Sequence, residues 1–191
     1  MQELFFVTTN QAKFDSLARR FQQLPIALKQ HSTELNELQL MTGEAIIRHK
    51  LQQAKKLLPG KAVLVDDRGF SIPALNGFPG PLVKPVLQTL GIGGILKLME
   101  DQTDRRASFI STLGLFDGQQ DHYFMDEEPG VIVHEPRGEN LRGWTELLLI
   151  YSPAEFPGKT LAEISNEEWH QHIASQTKND CRRQLMEFLQ K

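Results

Sequence analysis

Two adjacent acids, Asp66 and Asp67 in the stretch AVLVDDRGF, are the residues of this chain best suited to chemistry. They follow four residues that suit a buried strand, Ala62 to Val65, which we expect to be central because it is apolar on both faces. Ligand sites of α/β sheets usually lie outside the carboxyl ends of the strands. Two carboxylates there repel each other unless a cation or a basic side chain meets them, and their hard oxygens suit Mg²⁺. The stretch therefore predicts a charged site at the end of a strand.

Further acids and three lysines are candidates to complete that site. Glu37 and Glu44 lie upstream and are candidate metal ligands, although a single glutamate is more often an exposed residue of a helix or loop. Lys13, Lys50 and Lys84 each lie just beyond a turn or in a helix near one. Three converging lysines would bind a polyphosphate as point charges, but the spacing alone does not show that they converge.

A polar turn follows the first predicted strand in ELFFVTTN, and the helix QAKFDSLARRFQQL comes next. Thr8, Thr9 and Asn10 have a simple structural interpretation, since these residue types bond their own backbone in turns. They also have a functional one, because the N-terminus of the helix after such a turn can face an anion. Both interpretations stay open from the residues alone.

The remaining patterns predict an α/β protein. TGEAIIRHKLQQAKKLL is a helix candidate with Thr42 as its cap, and RASFISTLGLFDG and DHYFMDEEPGVIVHE look like two strands joined by DGQQ. TELLLIYSP is predicted to be a further short strand, and the C-terminal region is helical. Because strands and helices alternate first and paired strands follow, we expect a mixed central β-sheet with flanking helices.

Composition excludes several classes of protein. The 191 residues carry a net charge of -3, which disfavours a broad nucleic-acid-binding face. No apolar run approaches ~20 residues, so we expect no membrane segment, and the start of the chain does not resemble a signal peptide. The single cysteine, Cys181, excludes an internal disulfide and fits a cytoplasmic protein. The histidines lack metal-ligand spacing, and His49, His170 and His172 are predicted to lie at the surface.

Five segments together resemble a known family: FVTTNQAKF, VLVDDRGF, ALNGFPGPLVK, EPRG and RGW, in this order and near the expected spacing. They are similar to the inosine and xanthosine triphosphate pyrophosphatases of the Ham1 family. The resemblance implies one domain over residues 1–191, with two lobes around an active-site cleft, in a homodimer. It also implies Mg²⁺-dependent hydrolysis of a non-standard purine nucleoside triphosphate at the bond between the α and β phosphates, giving a monophosphate and pyrophosphate.

The same resemblance implies a role for individual residues. Asp67 is expected to act with the metal to position or deprotonate the attacking water, and Lys50 is expected to be a second catalytic residue. The expected metal ligands are Asp66, Asp67 and either Glu37 or Glu44. The expected substrate-binding residues are Thr8, Asn10, Lys13, Lys84, Arg142, Gly143, Trp144 and Arg182.

The base-recognition segments depart from the family pattern. RGWTE stands where the family has FGWDP, so Arg142 replaces an aromatic residue, although its guanidinium could still stack on a base. DCR stands for Ser-His-Arg, so Asp180 and Cys181 replace two polar contacts while Arg182 is kept. Because a buried acceptor prefers a donor, this substitution predicts a base preference different from inosine and xanthosine triphosphates.

A second function from another class fits the same departures. Arg68 stands where the family has serine and could pair with Asp67 in competition with the metal. The chain would then bind nucleotides as a sensor or regulatory module with little or no turnover.

Overall fold

The computed structural model describes residues 2–36, 42–142, 145–176 and 180–191. The strands are β1 (Glu3–Val7), β2 (Ala27–His31), β3 (Val63–Ser71), β4 (Pro79–Gly80), β5 (Arg106–Phe116), β6 (Asp121–Ile132) and β7 (Tyr151–Pro153). The α-helices are α1 (Gln11–Phe21), α2 (Gly43–Leu57), α3 (Val83–Thr89), α4 (Gly91–Leu98), α5 (Asn166–Gln176) and α6 (Cys181–Leu189), with short 3₁₀ helices at Pro73–Leu75 and Glu146–Leu149. Within the described ranges, no helix combines the length and apolar character needed to cross a membrane.

The strands form one mixed sheet in the order β2-β1-β3-β5-β6-β7, with β4 paired to β3 outside that path. β1 runs parallel to both β2 and β3, whereas β4 is antiparallel to β3 and β7 is antiparallel to β6. This arrangement confirms the predicted fold class of a mixed sheet with flanking helices.

The chain divides into two compact units. The first unit consists of Met1–Arg68, Ser111–Asp126 and Asn179–Lys191, and the second of Gly69–Ile110 and Glu127–Lys178. The core of the second unit is built around three buried rings, those of Phe70, Phe109 and Tyr151, whose centroids lie 4.7–5.7 Å apart.

In the first unit, helices cover both faces of β3. Leu64 belongs to one apolar cluster, with Leu17 of α1 and Leu185 of α6. Its neighbours Val63 and Val65 belong to another, which contains residues of α2. Successive side chains of a strand point to opposite faces, so α1 and α6 lie on one face of the sheet and α2 on the other.

The acid pair does not end its strand, contrary to the expectation from the sequence. β3 continues through Asp66 and Asp67 to Ser71, because β4 pairs with its last residues, Phe70 with Gly80 and Ser71 with Pro79. The pairing of β1 with β3 extends only to Leu64. The acids therefore lie just past the end of the parallel neighbour β1, in the middle of a strand of 9 residues.

Two smaller expectations also change. Thr42 occupies the position before α2, but its side chain makes no capping hydrogen bond there. The segment TELLLIYSP is a 3₁₀ helix over Glu146–Leu149 followed by β7, because the Thr145 side chain accepts a hydrogen bond from the Leu147 N–H and starts a helical turn.

His172 was predicted to lie at the surface, and that prediction is wrong. Its ring is 2% exposed, on α5, with Nδ1 2.7 Å from Glu155 Oε2 and Nε2 3.4 Å from Glu128 Oε1. Burial by itself would lower the pKa of His172, but the hydrogen bonds and charges of Glu128 and Glu155 outweigh burial and raise the pKa above its usual value. The two carboxylates explain how an imidazole is accommodated in an apolar interior.

We expect His172 to stabilise the fold more at low pH than at high pH. Because its pKa is raised in the folded protein, its stabilisation is fully present below the unfolded-state pKa and is lost as pH rises through the folded-state pKa. Urea unfolding of the wild type and of His172→Gln between pH 6 and 9 measures this difference. His170→Gln, an exposed site on the same helix, is the control. A wild-type advantage over His172→Gln that grows with pH would contradict the assignment.

Candidate active site

Asp66 and Asp67 point to opposite faces of the sheet, each toward a lysine. Asp66 shares the face of Leu64 and α1, and its Oδ2 lies 2.7 Å from Lys13 Nζ. Asp67 shares the face of Val65 and α2, and its Oδ1 lies 2.7 Å from Lys50 Nζ. Strand alternation therefore separates two carboxylates that are adjacent in sequence, and one helix on each face supplies the opposite charge.

The turn after β1 places Lys13. The Asn10 N–H donates to Thr8 Oγ1 at 3.2 Å, and Asn10 Oδ1 accepts from the Lys13 N–H at 3.1 Å. Asn10 thus caps α1 and fixes its first turn, which carries Lys13. The structural interpretation of the Thr-Thr-Asn turn holds, and it is also what directs Lys13 to Asp66.

Lys50 is the more enclosed of the two lysines. It lies on α2 between the buried residues Ile47 and Leu51 and is itself 7% exposed. A lysine at this depth needs an opposite charge, because an isolated buried ammonium group is strongly disfavoured. Asp67 supplies that charge from β3, with its side chain 13% exposed.

The acid pair fits a divalent cation by its chemistry. Carboxylate oxygens are the ligands that Mg²⁺ prefers, and it is often held by one or two carboxylates together with substrate phosphates. Among the described residues, no His, Cys, Asp or Glu joins Asp66 and Asp67 to form a group of three. Glu44 is 73% exposed and forms an ion pair with Arg48 one turn further along α2, while Glu37 lies outside the described residues. Because the two carboxylates point to opposite faces of the sheet, either one of them fits a cation whose remaining ligands come from other sources, such as water and phosphate.

Lys84 and Arg142 belong to the second unit. Lys84 is exposed in the first turn of α3. Gly143 and Trp144 lie outside the described residues, so their predicted substrate contacts are untested.

Arg142 bonds the backbone of its own unit. Its Nη1 donates to Leu161 O at 2.9 Å and its Nη2 to Ile164 O at 2.7 Å. The guanidinium carbon lies 4.7 Å from the ring centroid of Trp169, so its stacking partner in the structure is a side chain of α5. Its predicted stacking on a base would require these contacts to be given up.

Asp180 is held by two groups of the first unit. Arg20 Nη1 and Nη2 donate to its two carboxylate oxygens at 2.8 and 2.6 Å, and Asp180 Oδ1 also accepts from the Arg183 N–H as the cap of α6. Both oxygens thus accept hydrogen bonds from the protein itself, which removes the reason to expect Asp180 as an acceptor for the base. Arg182 is half-buried on the same helix.

Cys181 is a buried structural residue. It is 1% exposed, its N–H donates to Asp126 Oδ2 at 2.8 Å, and burial raises the pKa of its thiol. A thiol with a raised pKa is a poor nucleophile. Sequence reasoning missed the partners Arg20 and Asp126, which lie 160 and 55 positions from Asp180 and Cys181, because no local pattern signals such distant contacts.

Comparisons with known proteins identify the family of this chain. Residues 4–178 match the Ham1 family. The chain belongs to this family. A relative from Ignicoccus hospitalis, named dITP/XTP pyrophosphatase, is 33% identical over 168 residues, covering 87% of each chain. A relative of the same name from Methanosarcina mazei is 34% identical over 169 residues, covering 88% of each chain.

Solved structures of the family have the same fold. The Staphylococcus aureus Ham1 protein superposes with a TM-score of 0.76 at 24% identity, covering 99% of this chain and 96% of that one. A dITP/XTP pyrophosphatase from Mycobacterium abscessus also has a TM-score of 0.76, at 22% identity, covering 91% of this chain and 92% of that one. These superpositions show the fold alone. The evidence for the charged site is the set of contacts within this chain.

We expect Asp180→Asn to destabilise the protein by about 1–3 kcal/mol, because it weakens a charge-assisted pair and a helix cap together. Urea unfolding monitored by circular dichroism measures this loss. Glu187→Gln is the matched control, since Glu187 pairs with Arg183 on the same helix but is 57% exposed, and its change should stay within about 0.5 kcal/mol. Unchanged stability of Asp180→Asn would show that the carboxylate serves another purpose.

Proposed function

We propose that this chain hydrolyses non-standard purine nucleoside triphosphates at the bond between the α and β phosphates, releasing a monophosphate and pyrophosphate. The observation that carries the proposal is the pair of lysine–aspartate contacts at the middle of β3, Lys13 with Asp66 and Lys50 with Asp67. Family membership and relatives named dITP/XTP pyrophosphatase support the reaction and the substrate class.

The turn between β1 and α1 is the proposed phosphate-binding segment. Lys13 lies in the first turn of α1, where the N–H groups and the dipole of a helix favour an anion. Thr8 and Asn10 fix that turn, and their hydroxyl and amide groups can also meet phosphate oxygens. Lys84, exposed at the start of α3, is proposed to bind the same phosphates.

The proposed metal ligands are Asp66 and Asp67, with Glu37 or Glu44 as a further ligand. Their carboxylate oxygens suit a divalent cation, and we propose Mg²⁺. When bound, the cation would neutralise charge on the phosphate oxygens, which is the main requirement of phosphoryl-group hydrolysis.

Asp67 is the proposed catalytic residue. An ionised carboxylate only accepts hydrogen bonds, so it can orient a water molecule toward phosphorus and take its proton. In the free protein, Lys50 fixes the orientation of this carboxylate through the 2.7 Å contact. Direct attack by water needs no covalent nucleophile, which agrees with the buried, high-pKa thiol of Cys181.

We propose inosine- and xanthosine-type bases as the preferred ones, rather than the shifted preference predicted from the sequence. Asp180 is engaged by Arg20, so the reason to expect a donor-bearing base no longer applies. We propose that Arg182 contacts the base, since it is the residue of DCR that matches the family pattern. The names of the relatives support this assignment.

Three further properties are proposed on the likeness to the family. Residues 1–191 would form one domain with two lobes around an active-site cleft, two copies would form a homodimer, and the protein would act in the cytoplasm, where its nucleotide substrates are. The comparisons give no support to a nucleotide sensor without turnover.

Pyrophosphate release from dITP and XTP in the presence of Mg²⁺ tests the proposal. We expect Asp67→Asn to lower kcat by about 10²–10⁴-fold, the usual contribution of a general base, with a smaller change in KM. Asp121→Asn is the matched control, because Asp121 forms a similar 2.7 Å pair with Lys55 elsewhere in the same unit and should keep kcat within about twofold.

Two results would contradict the proposal. The first is a wild-type protein that releases no pyrophosphate from either nucleotide, or releases it as fast from the four common deoxynucleoside triphosphates. The second is full activity of Asp67→Asn.

A further inference from the structure

Lys13 and Lys50 contact the same carboxylates that the proposed cation needs. Each ammonium nitrogen lies 2.7 Å from a carboxylate oxygen, Lys13 from Asp66 and Lys50 from Asp67. A Mg²⁺ ion bonded to one of these oxygens would lie about 2.1 Å from it, and so within about 5 Å of the ammonium nitrogen. Like charges at that separation disfavour each other. On these carboxylates the cation and the lysines therefore compete.

The charges of the four side chains also favour competition between the cation and the lysines. Among these four side chains the two lysine charges offset the two aspartate charges, so the carboxylates attract a cation less than they would without the lysines. The aspartate side chains are only 11% and 13% exposed, which reduces the screening that water could provide. A triphosphate chain changes this balance, because it brings several negative charges that both lysines and cation can bind.

The ligand count also favours joint binding. Mg²⁺ requires six oxygen ligands and gives up its water reluctantly, so it is commonly held by carboxylates and substrate phosphates together. In the part of the chain that the structure describes, no third His, Cys, Asp or Glu completes a group with the acid pair. Even with Glu37 or Glu44 as a further ligand, coordination positions of the cation stay open, and phosphate oxygens are a natural source of ligands for them.

We propose that Lys13 and Lys50 exchange the carboxylates for nucleotide phosphates, so that the divalent cation binds the free protein weakly and binds tightly only together with a nucleoside triphosphate. The inference rests on the proposed function, which supplies the triphosphate as ligand. By linkage, the cation tightens nucleotide binding by the same factor as the nucleotide tightens cation binding.

Lys13 is the better of the two lysines for a test. The Lys13 side chain is 34% exposed, so Lys13→Met should leave the fold intact. The Lys50 side chain is only 9% exposed, and its loss would remove a buried positive partner of Asp67 and destabilise the protein. Lys55→Met is the matched control. Lys55 forms a 2.7 Å pair with Asp121, so this variant removes one lysine charge from the first unit at another place.

Electron paramagnetic resonance of Mn²⁺, a substitute for Mg²⁺, measures the affinity with and without the non-hydrolysable α,β-methylene analogue of dITP. We expect Lys13→Met to bind Mn²⁺ about tenfold more tightly than the wild type in the free protein, because a competing charge is gone. With the analogue present, the same variant should bind Mn²⁺ more weakly than the wild type, because a phosphate contact is lost. Lys55→Met should change neither affinity by more than about twofold.

Unchanged or weaker Mn²⁺ binding to the free Lys13→Met variant would overturn the proposed exchange. Lys13→Gln repeats the test with a polar side chain, and circular dichroism checks that both variants are folded. Pyrophosphate release from dITP by the same wild-type preparation separates the two proposals. An inactive wild type rejects the proposed function, whereas an active wild type with unchanged Mn²⁺ binding in Lys13→Met rejects only the exchange.

Discussion

The alternation of side chains along β3 is the constraint on which the site depends. It directs Asp66 to the face covered by α1 and Asp67 to the face covered by α2, so neighbours in sequence become separate charges in space. Each carboxylate then needs its own positive partner, because a half-buried charge without one is costly. Lys13 and Lys50 meet that need from the two helices.

The rest of the first unit holds these helices in place. Apolar residues of β3 anchor α1 on one face and α2 on the other, so the distances between lysines and aspartates follow from core packing. The end of β1 matters too, since its pairing with β3 stops at Leu64 and the acids follow after one further residue, Val65. The edge left by the shorter parallel strand is where an α/β sheet usually binds its ligand. Here the site depends on a neighbouring strand that is short, while β3 itself continues.

Local patterns were enough to predict α1, α2, the mixed sheet and the turn that leads to Lys13, because each has a periodic or turn signal within a few residues. The length of β3 could not be predicted from its own residues, because its last part is held by β4, a strand of 2 residues that pairs through Phe70 and Gly80. The burial of His172 depends on Glu128 and Glu155, which lie on other elements. The sequence predicted a departure from the family pattern at Asp180, but it could not predict the partner Arg20, which is 160 positions away and connected to Asp180 by no spacing rule.

Double-mutant cycles on the free energy of unfolding test the central claim, that Lys13 pairs with Asp66 on one face of the sheet and Lys50 pairs with Asp67 on the other. Within the pair Lys50 and Asp67, we expect a coupling of about 1 kcal/mol or more, because both side chains are largely buried. The crossed cycle, Lys13 with Asp67, should give a coupling within about 0.5 kcal/mol of zero, since those side chains extend from opposite faces. A crossed coupling as large as the direct one would show that the two acids share their lysines, and would contradict the account.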